Sequence, residues 1–398
     1  MRITLLAVAV AAAVASRPDV RLLETPASSD SGYYSLAASP TGRVYLSWVE
    51  SVVGGAHALK FATLGAGRWS APRTIASGTN WFVNWADHPS VAAFGDTLMA
   101  HWLVHNEERS GTFGYGVRIA ASRDGGERWT RVFEAGERNV ADYTGFVSFL
   151  AEPNGGIAAY LTPPETAGTA APHDHTADHV MTLRAVAFGA DGTRAADTLI
   201  DPDTCTCCNT STAETDVGPV IVYRDHLPGE VRDIAIVRRV DGHWTAPRPV
   251  FNDHWTINAC PTNGPAIAAR GRQVVVAWFT AANDRPRLKL AFSDDSGAQF
   301  AAPLLVDDAR PVGWPQTVLL EDGSAVVSWL TTTADGAGEF RVRRVWRDGR
   351  MGMPVVVATT TSGRSAGQPQ MVRTVGSLVV AWRQDGRVRT ALLPIPAR

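Results

Sequence analysis

The residues best suited to chemistry in this chain of 398 residues are its four cysteines and a set of histidines. Cys205, Cys207 and Cys208 fall in one short stretch, and Cys260 follows 52 residues after Cys208. His173, His175 and His179 lie in the segment PHDHTADH, and His254 shortly precedes Cys260. Thiolate sulfur with imidazole nitrogen is a donor set for Cu(I), or for Zn(II) in a closed tetrahedral site. His173 and His175 alternate, so an extended segment points both to one side. The same cysteines can instead form disulfides: Cys260 with Cys205 or Cys207, and a second bridge among the remainder. Adjacent Cys207 and Cys208 bridge each other only through a distorted ring. Reactive, partly oxidised thiols are a third state. The histidine tract has its own alternative, a polar lid that titrates near the ordinary imidazole range.

The elements that must position these residues are strands in a repeat. Seven alternating segments end in an aromatic: Trp48, Trp102, Tyr160, Tyr223, Trp278, Trp329 and Trp382. Their spacings are 54, 58, 63, 55, 51 and 53 residues. A period of that size with only strands inside it predicts an all-β propeller of four-stranded blades. Seven blades fit the count, with six as the alternative. The last unit lacks a fourth strand, and Val20–Glu24 at the front is expected to supply it, removing an open sheet edge. The innermost strands are expected at Ser35–Ser39, Ser90–Phe94, Phe146–Ala151, Thr210–Glu214, Gly264–Ala269, Pro315–Leu320 and Pro369–Arg373.

A propeller gathers its loops on two faces. Loops from a fourth strand to the next first strand share a face with loops from second to third strands. By that rule all four cysteines and seven of the ten histidines fall on one face, here called the top. The top also takes Arg109, Arg224, Arg310, Arg364 and Arg383, and the carboxylates Glu107, Glu108, Asp142, Asp225 and Glu230. Arg224, Asp225, Trp255 and Arg364 are the candidates for holding a ligand there. Trp81, Trp85 and Trp314 join Trp255 in top loops, where they either stack on a sugar or roof the channel. His88 and His105 read as structural hydrogen-bonders, and His57 and His243 as surface residues.

Composition bounds the rest. The net charge is -2, with no basic cluster, which argues against a nucleic-acid partner. Arg2, the apolar run Ile3–Val14 and the small residues around Ala13 to Ala15 read as a signal peptide over residues 1–15. A propeller domain then occupies 16–398 of an exported protein, periplasmic or extracellular, where cysteines are free to oxidise. The apolar run is too short to span a bilayer comfortably. A monomer is expected, binding a small molecule, a glycan or a cell-envelope protein.

Two turns carry a further motif. SRDGGERW (Ser122, Asp124, Gly126, Trp129) and SDDSGAQF (Ser293, Asp295, Gly297, Phe300) match S-x-D-x-G-x-x-W. The Asp side chain there is expected to accept backbone N–H groups within its hairpin, the glycine to take a positive φ, and the aromatic to plug the gap between sheets. In these turns the chain resembles the sialidase-like, bacterial-neuraminidase-repeat (Asp-box) propeller superfamily, and the repeat covers nearly all of residues 16–398. Catalytic sialidases of that superfamily have six blades, an early Arg-Ile-Pro, three arginines for the substrate carboxylate and a late Tyr–Glu pair. This sequence has no Arg-Ile-Pro, and its seven tyrosines all lie at or before Tyr223. The resemblance therefore implies a propeller that binds rather than hydrolyses. A glycoside hydrolase with a diverged site is the alternative.

Overall fold

The computed structural model describes residues 20–105, 114–135, 144–164 and 180–396. The signal-peptide segment, His173, His175 and His179 lie outside them, as do Glu107, Glu108, Arg109 and Asp142.

Seven antiparallel sheets form seven blades. Six of them begin in chain order with the strands Ser31–Ala38, Ser90–Phe94, Gly145–Glu152, Ser211–Thr215, Ala266–Arg270 and Pro311–Leu319. The seventh joins Gln370–Thr374, Ser377–Gln384 and Arg387–Pro394 to Arg21–Leu23, so the front of the chain closes the ring. Among the described residues no helix is long and apolar enough to cross a membrane.

The seven aromatics form the gaps between blades. Trp48, Trp278 and Trp329 are each no more than 1% exposed. Each aromatic faces a chosen cross-strand partner: Trp48 pairs with Lys60, Trp102 with Arg118, Tyr160 with Arg184, Trp278 with Lys289, Trp329 with Arg341 and Trp382 with Arg389. The ring's polar edge then meets an acceptor at the blade margin. Trp48 donates to Glu50 at 2.6 Å, Trp278 to Asp253 at 2.7 Å, Trp329 to Asp307 at 2.6 Å and Tyr160 to Asp197 at 3.0 Å. Lys60, Lys289 and Arg184 neutralise three of those carboxylates. An aromatic with a polar handle fits this place because one end is dry and the other meets charge. Blade four breaks the pattern: Tyr223 lies opposite Ala235, and its hydroxyl donates to Asp201.

Only the Ser90 start coincides with the expectation; blades four, five and seven start one or two residues late, and blades one, three and six start early. In blades one, three and six a glycine–aromatic pair bulges at the strand's top end, at Gly32-Tyr33, Gly145-Phe146 and Gly313-Trp314. Tyr33, Phe146 and Trp314 all hold φ near +50° (50°, 54°, 50°). A side chain from an adjacent blade or loop packs against the glycine. A Cβ on Gly145 would lie 1.9 Å from Asp87 Oδ2, and one on Gly313 would lie 2.3 Å from Asn263 Nδ2. The bulge extends the ladder upward, which is why blade six begins at Pro311 rather than Pro315.

The two turns with the S-x-D-x-G pattern are wired alike. Ser122 and Ser293 donate to Asp124 and Asp295 at 2.9 and 2.8 Å and accept the N–H of Gly126 and Gly297. Trp129 sets its ring edge-on to Phe61 of the preceding blade at 6.0 Å. Phe300 packs on the core between blades four and five.

Candidate functional site

The loop from Thr204 into blade four enters the core between blades three and four. Cys205, Cys207 and Cys208 are 0, 6 and 1% exposed, packed with Met181, Leu183, Tyr223 and Ala235. Their three sulfurs lie within 4.8 Å of one another. Cys205 and Cys208 are nearest, 2.9 Å apart, against about 2.05 Å for a bonded pair. All four cysteines are free, so the disulfide expectation finds no bridge here. Cys260 comes from the next blade's loop and is exposed. It reaches Thr206 Oγ1, on the Cys-rich loop, at 3.6 Å. The two cysteine loops therefore meet, as adjacent blades predict. His254 does not join the sulfur group: it is exposed, and its backbone N–H is held by Asp233 at 2.8 Å.

The electrostatics favour anionic sulfur at two of the four. Burial opposes ionisation of Cys205, but the thiols of Cys207 and Cys208, the Cys207 N–H and the Arg232 charge hold it well below the usual thiol range. Cys207 and Cys208 are pushed up, by burial first and then by the Cys205 thiol beside them. The Cys207 thiol lowers Cys260 to about 7. Arg232 ion-pairs Glu230 at 2.6 Å through one nitrogen, while its buried Nε has no hydrogen-bond partner. That donor beside Cys205 suits a thiolate.

Three of the four proposed ligand contacts have other work. Arg224 is 1% exposed. Its guanidinium donates to Asn263 O at 3.0 and 2.8 Å, to Arg232 O at 2.5 Å and to Phe279 O at 2.8 Å. Trp255 is 6% exposed and covers Arg224 at 4.7 Å. Asp225 is buried, and burial followed by Asp201 raises its carboxyl to about 7. Arg224 and Trp255 tie blade four to the loop into blade five, and Asp225 is held within its own blade by the His226 N–H at 2.8 Å, so none of the three faces solvent. Arg364 differs. It is exposed and lies over Trp85 at 5.2 Å, on a top-face cavity of about 210 Å³ shared with Tyr33, His88, Gln368 and Arg383. Trp314 is buried and lines the axial channel, whereas Trp81 is buried between blades one and two, stacked on Trp102 at 6.0 Å.

Sequence reasoning missed Asp87. It lines the axial channel yet has both oxygens occupied, by the Phe146 N–H at 2.9 Å and the Tyr115 hydroxyl at 3.0 Å. Burial raises its pKa from 3.8 to about 7. Such a group adds no penalty below its unfolded value, and the penalty grows as pH rises from there and is complete once pH passes the folded one. Asp87→Asn is therefore expected to match the wild type near pH 4 and to gain on it by up to about 4 kcal/mol by pH 8. Urea unfolding of both proteins across that range checks it, and a difference that does not change with pH refutes it. The glycine–aromatic bulge that Asp87 supports was visible in the sequence as three Gly-aromatic pairs at blade starts.

The class of protein is set by the fold: an all-β, seven-bladed propeller of antiparallel sheets. Among solved structures the chain is similar to a Dyadobacter fermentans protein of unknown function, at 14% identity, covering 96% of this chain and 98% of that one, TM-score 0.52. It is similar in the same way to a Penicillium chrysogenum alpha-L-arabinanase complexed with arabinobiose, at 12% identity, 95% and 98% coverage, TM-score 0.50. A Hadza microbial sialidase aligns over 75% of this chain and 63% of its own, at 13% identity and TM-score 0.45. Likeness at these identities is likeness of fold. No family model and no curated protein matches the chain.

Proposed function

We propose that this is an exported binding propeller that holds Cu(I) on Cys205, Cys207 and Cys208. The observation that carries the reading is three mutually close, buried, unbridged sulfurs in a dry pocket between blades. Three thiolates suit a soft monovalent ion of low coordination number, whereas zinc requires a fourth donor. The charges of Arg232 near Cys205 and Arg224 near Cys208 offset the negative charge that a trithiolate site collects. Export follows from the signal-like residues 1–15. The hydrolase alternative gains nothing from the described residues: the carboxylate on the axial channel, Asp87, is fully engaged by the protein.

The test is an anaerobic Cu(I) titration of reduced protein against bathocuproine disulfonate. One tightly held equivalent is expected, lost in Cys205→Ser and in Cys208→Ser. Retention of copper by both variants sinks the reading. Two titratable thiols instead of four in protein purified from the periplasm would assign the pair to a Cys205–Cys208 bridge.

A further inference from the structure

The four sulfurs are not equivalent. Cys205, Cys207 and Cys208 are fixed inside the blade-three/blade-four core, and the Cys205 N–H bonds Arg224 O at 3.1 Å. Cys260 is exposed. It sits on a short span whose two ends are pinned. On one side the N–H of Ile257 bonds Glu230 O at 2.9 Å, and the N–H groups of His254 and Trp255 bond the Asp233 carboxylate at 2.8 and 3.0 Å. On the other side Trp314 Nε1 bonds Thr262 O at 2.9 Å, and Arg224 grips Asn263 O. Between those pins, among the described residues, no backbone hydrogen bond holds Asn258, Ala259, Cys260 or Pro261. A span of that kind opens locally at little cost, while the core around the other three sulfurs opens only with the blade.

We infer that Cys260 is the exchangeable ligand of this site, through which Cu(I) is taken from and passed to an external thiolate. The inference rests on the copper reading above. Three fixed sulfurs retain the ion, and Cys260, exposed on the neighbouring loop, binds it only in passage. In uptake, the donor's copper–sulfur bond breaks as the bond to Cys260 forms, the Cys260 proton passing to the departing donor sulfur, and the ion then moves inward onto the three buried sulfurs, whose remaining thiol protons leave to solvent. In release, the ion returns to Cys260 as its bonds to the buried sulfurs break and those sulfurs regain their protons, and an incoming thiolate then bonds it as the Cys260 bond breaks. The proton lost by the incoming thiol ends on the Cys260 sulfur, the copper stays monovalent, and no oxidant is needed. Ligand substitution of this kind is fast because coordination is never fully lost. The partner is accordingly another soft-sulfur ligand, either a small thiol or a cysteine on a protein.

The experiment is anaerobic stopped-flow on the full protein. Loading is followed from Cu(I)–glutathione, and release to bathocuproine disulfonate, for wild type and Cys260→Ser. Cys260→Ser is expected to hold one equivalent still, with loading from glutathione slowed by about tenfold or more. Cys207→Ser serves as the contrast and is expected to lose the equivalent. Rates in Cys260→Ser indistinguishable from wild type overturn the exchange role and leave the copper reading standing. Loss of the equivalent in Cys260→Ser also overturns it, making Cys260 a permanent ligand. Failure of the wild type to hold copper removes both readings.

Discussion

Arg224→Ala is expected to cost about 3–5 kcal/mol of folding stability, the range for removing one member of a buried charged network. The side chain is buried and cationic, yet no carboxylate answers it. Four of its donors instead serve three backbone carbonyls, from Asn263, Arg232 and Phe279, which belong to two blades and the loop between them. Truncation strips those buried carbonyls of their donor, at about 1–3 kcal/mol for each one left unsatisfied. Trp255 also loses the cation under its ring. Arg224→Lys should recover little, because one ammonium cannot reach three acceptors spread around a planar fork. Urea unfolding of the two variants measures this. A loss under about 1 kcal/mol for the alanine variant would show that the carbonyls find other partners. The same variant bears on copper, since Arg224 supplies positive charge beside Cys208.

Arg224 also shows where the sequence stopped being legible. The blades were readable because each repeats one aromatic at one strand position, and a period near 50 residues leaves few other folds. The cation facing that aromatic was equally present in the third strands, at Lys60, Arg118, Arg184, Lys289, Arg341 and Arg389. Its meaning emerges only with the register. Side-chain direction was not readable. In an ordinary half-buried strand, alternation separates core from solvent, but both faces of a propeller blade are covered by neighbours. Tyr223 and Arg224 are successive residues on opposite faces. The first closes the gap toward blade three through Asp201, and the second closes the gap toward blade five through Asn263. A polar residue at a strand end therefore resembled a ligand contact when it was an interblade tie. The cysteines were easier. Their placement depended only on which loops share a face and which blades are adjacent, and topology decides both. That is why the meeting of the two cysteine loops was foreseeable while the burial of Arg224 was not.

The same reasoning predicts a second large effect, at the top of blade six. Gly313 holds φ +109°, and a Cβ there would lie 2.3–2.7 Å from three atoms of the Asn263 amide. That amide cannot give way cheaply. Its Nδ2 donates to Val312 O at 2.8 Å and its Oδ1 accepts the Trp314 N–H at 2.9 Å, while its own carbonyl is held by Arg224. Gly313→Ala combines the positive-φ penalty of about 1–2 kcal/mol with the loss of two buried hydrogen bonds, so about 3–4 kcal/mol is expected. Gly376→Ala isolates the first part. It also holds a positive φ, +72°, but has nothing within 4 Å of the added Cβ, so only the backbone penalty should appear. Equal losses in the two variants would show that Asn263 moves freely and is no clamp. The metal readout separates the two halves of the site as well. Displacing Asn263 loosens the pinned end beyond Cys260 and leaves Cys205, Cys207 and Cys208 in their own core. Gly313→Ala is therefore expected to keep its equivalent of Cu(I) while exchanging it faster than wild type, the opposite kinetic change to Cys260→Ser.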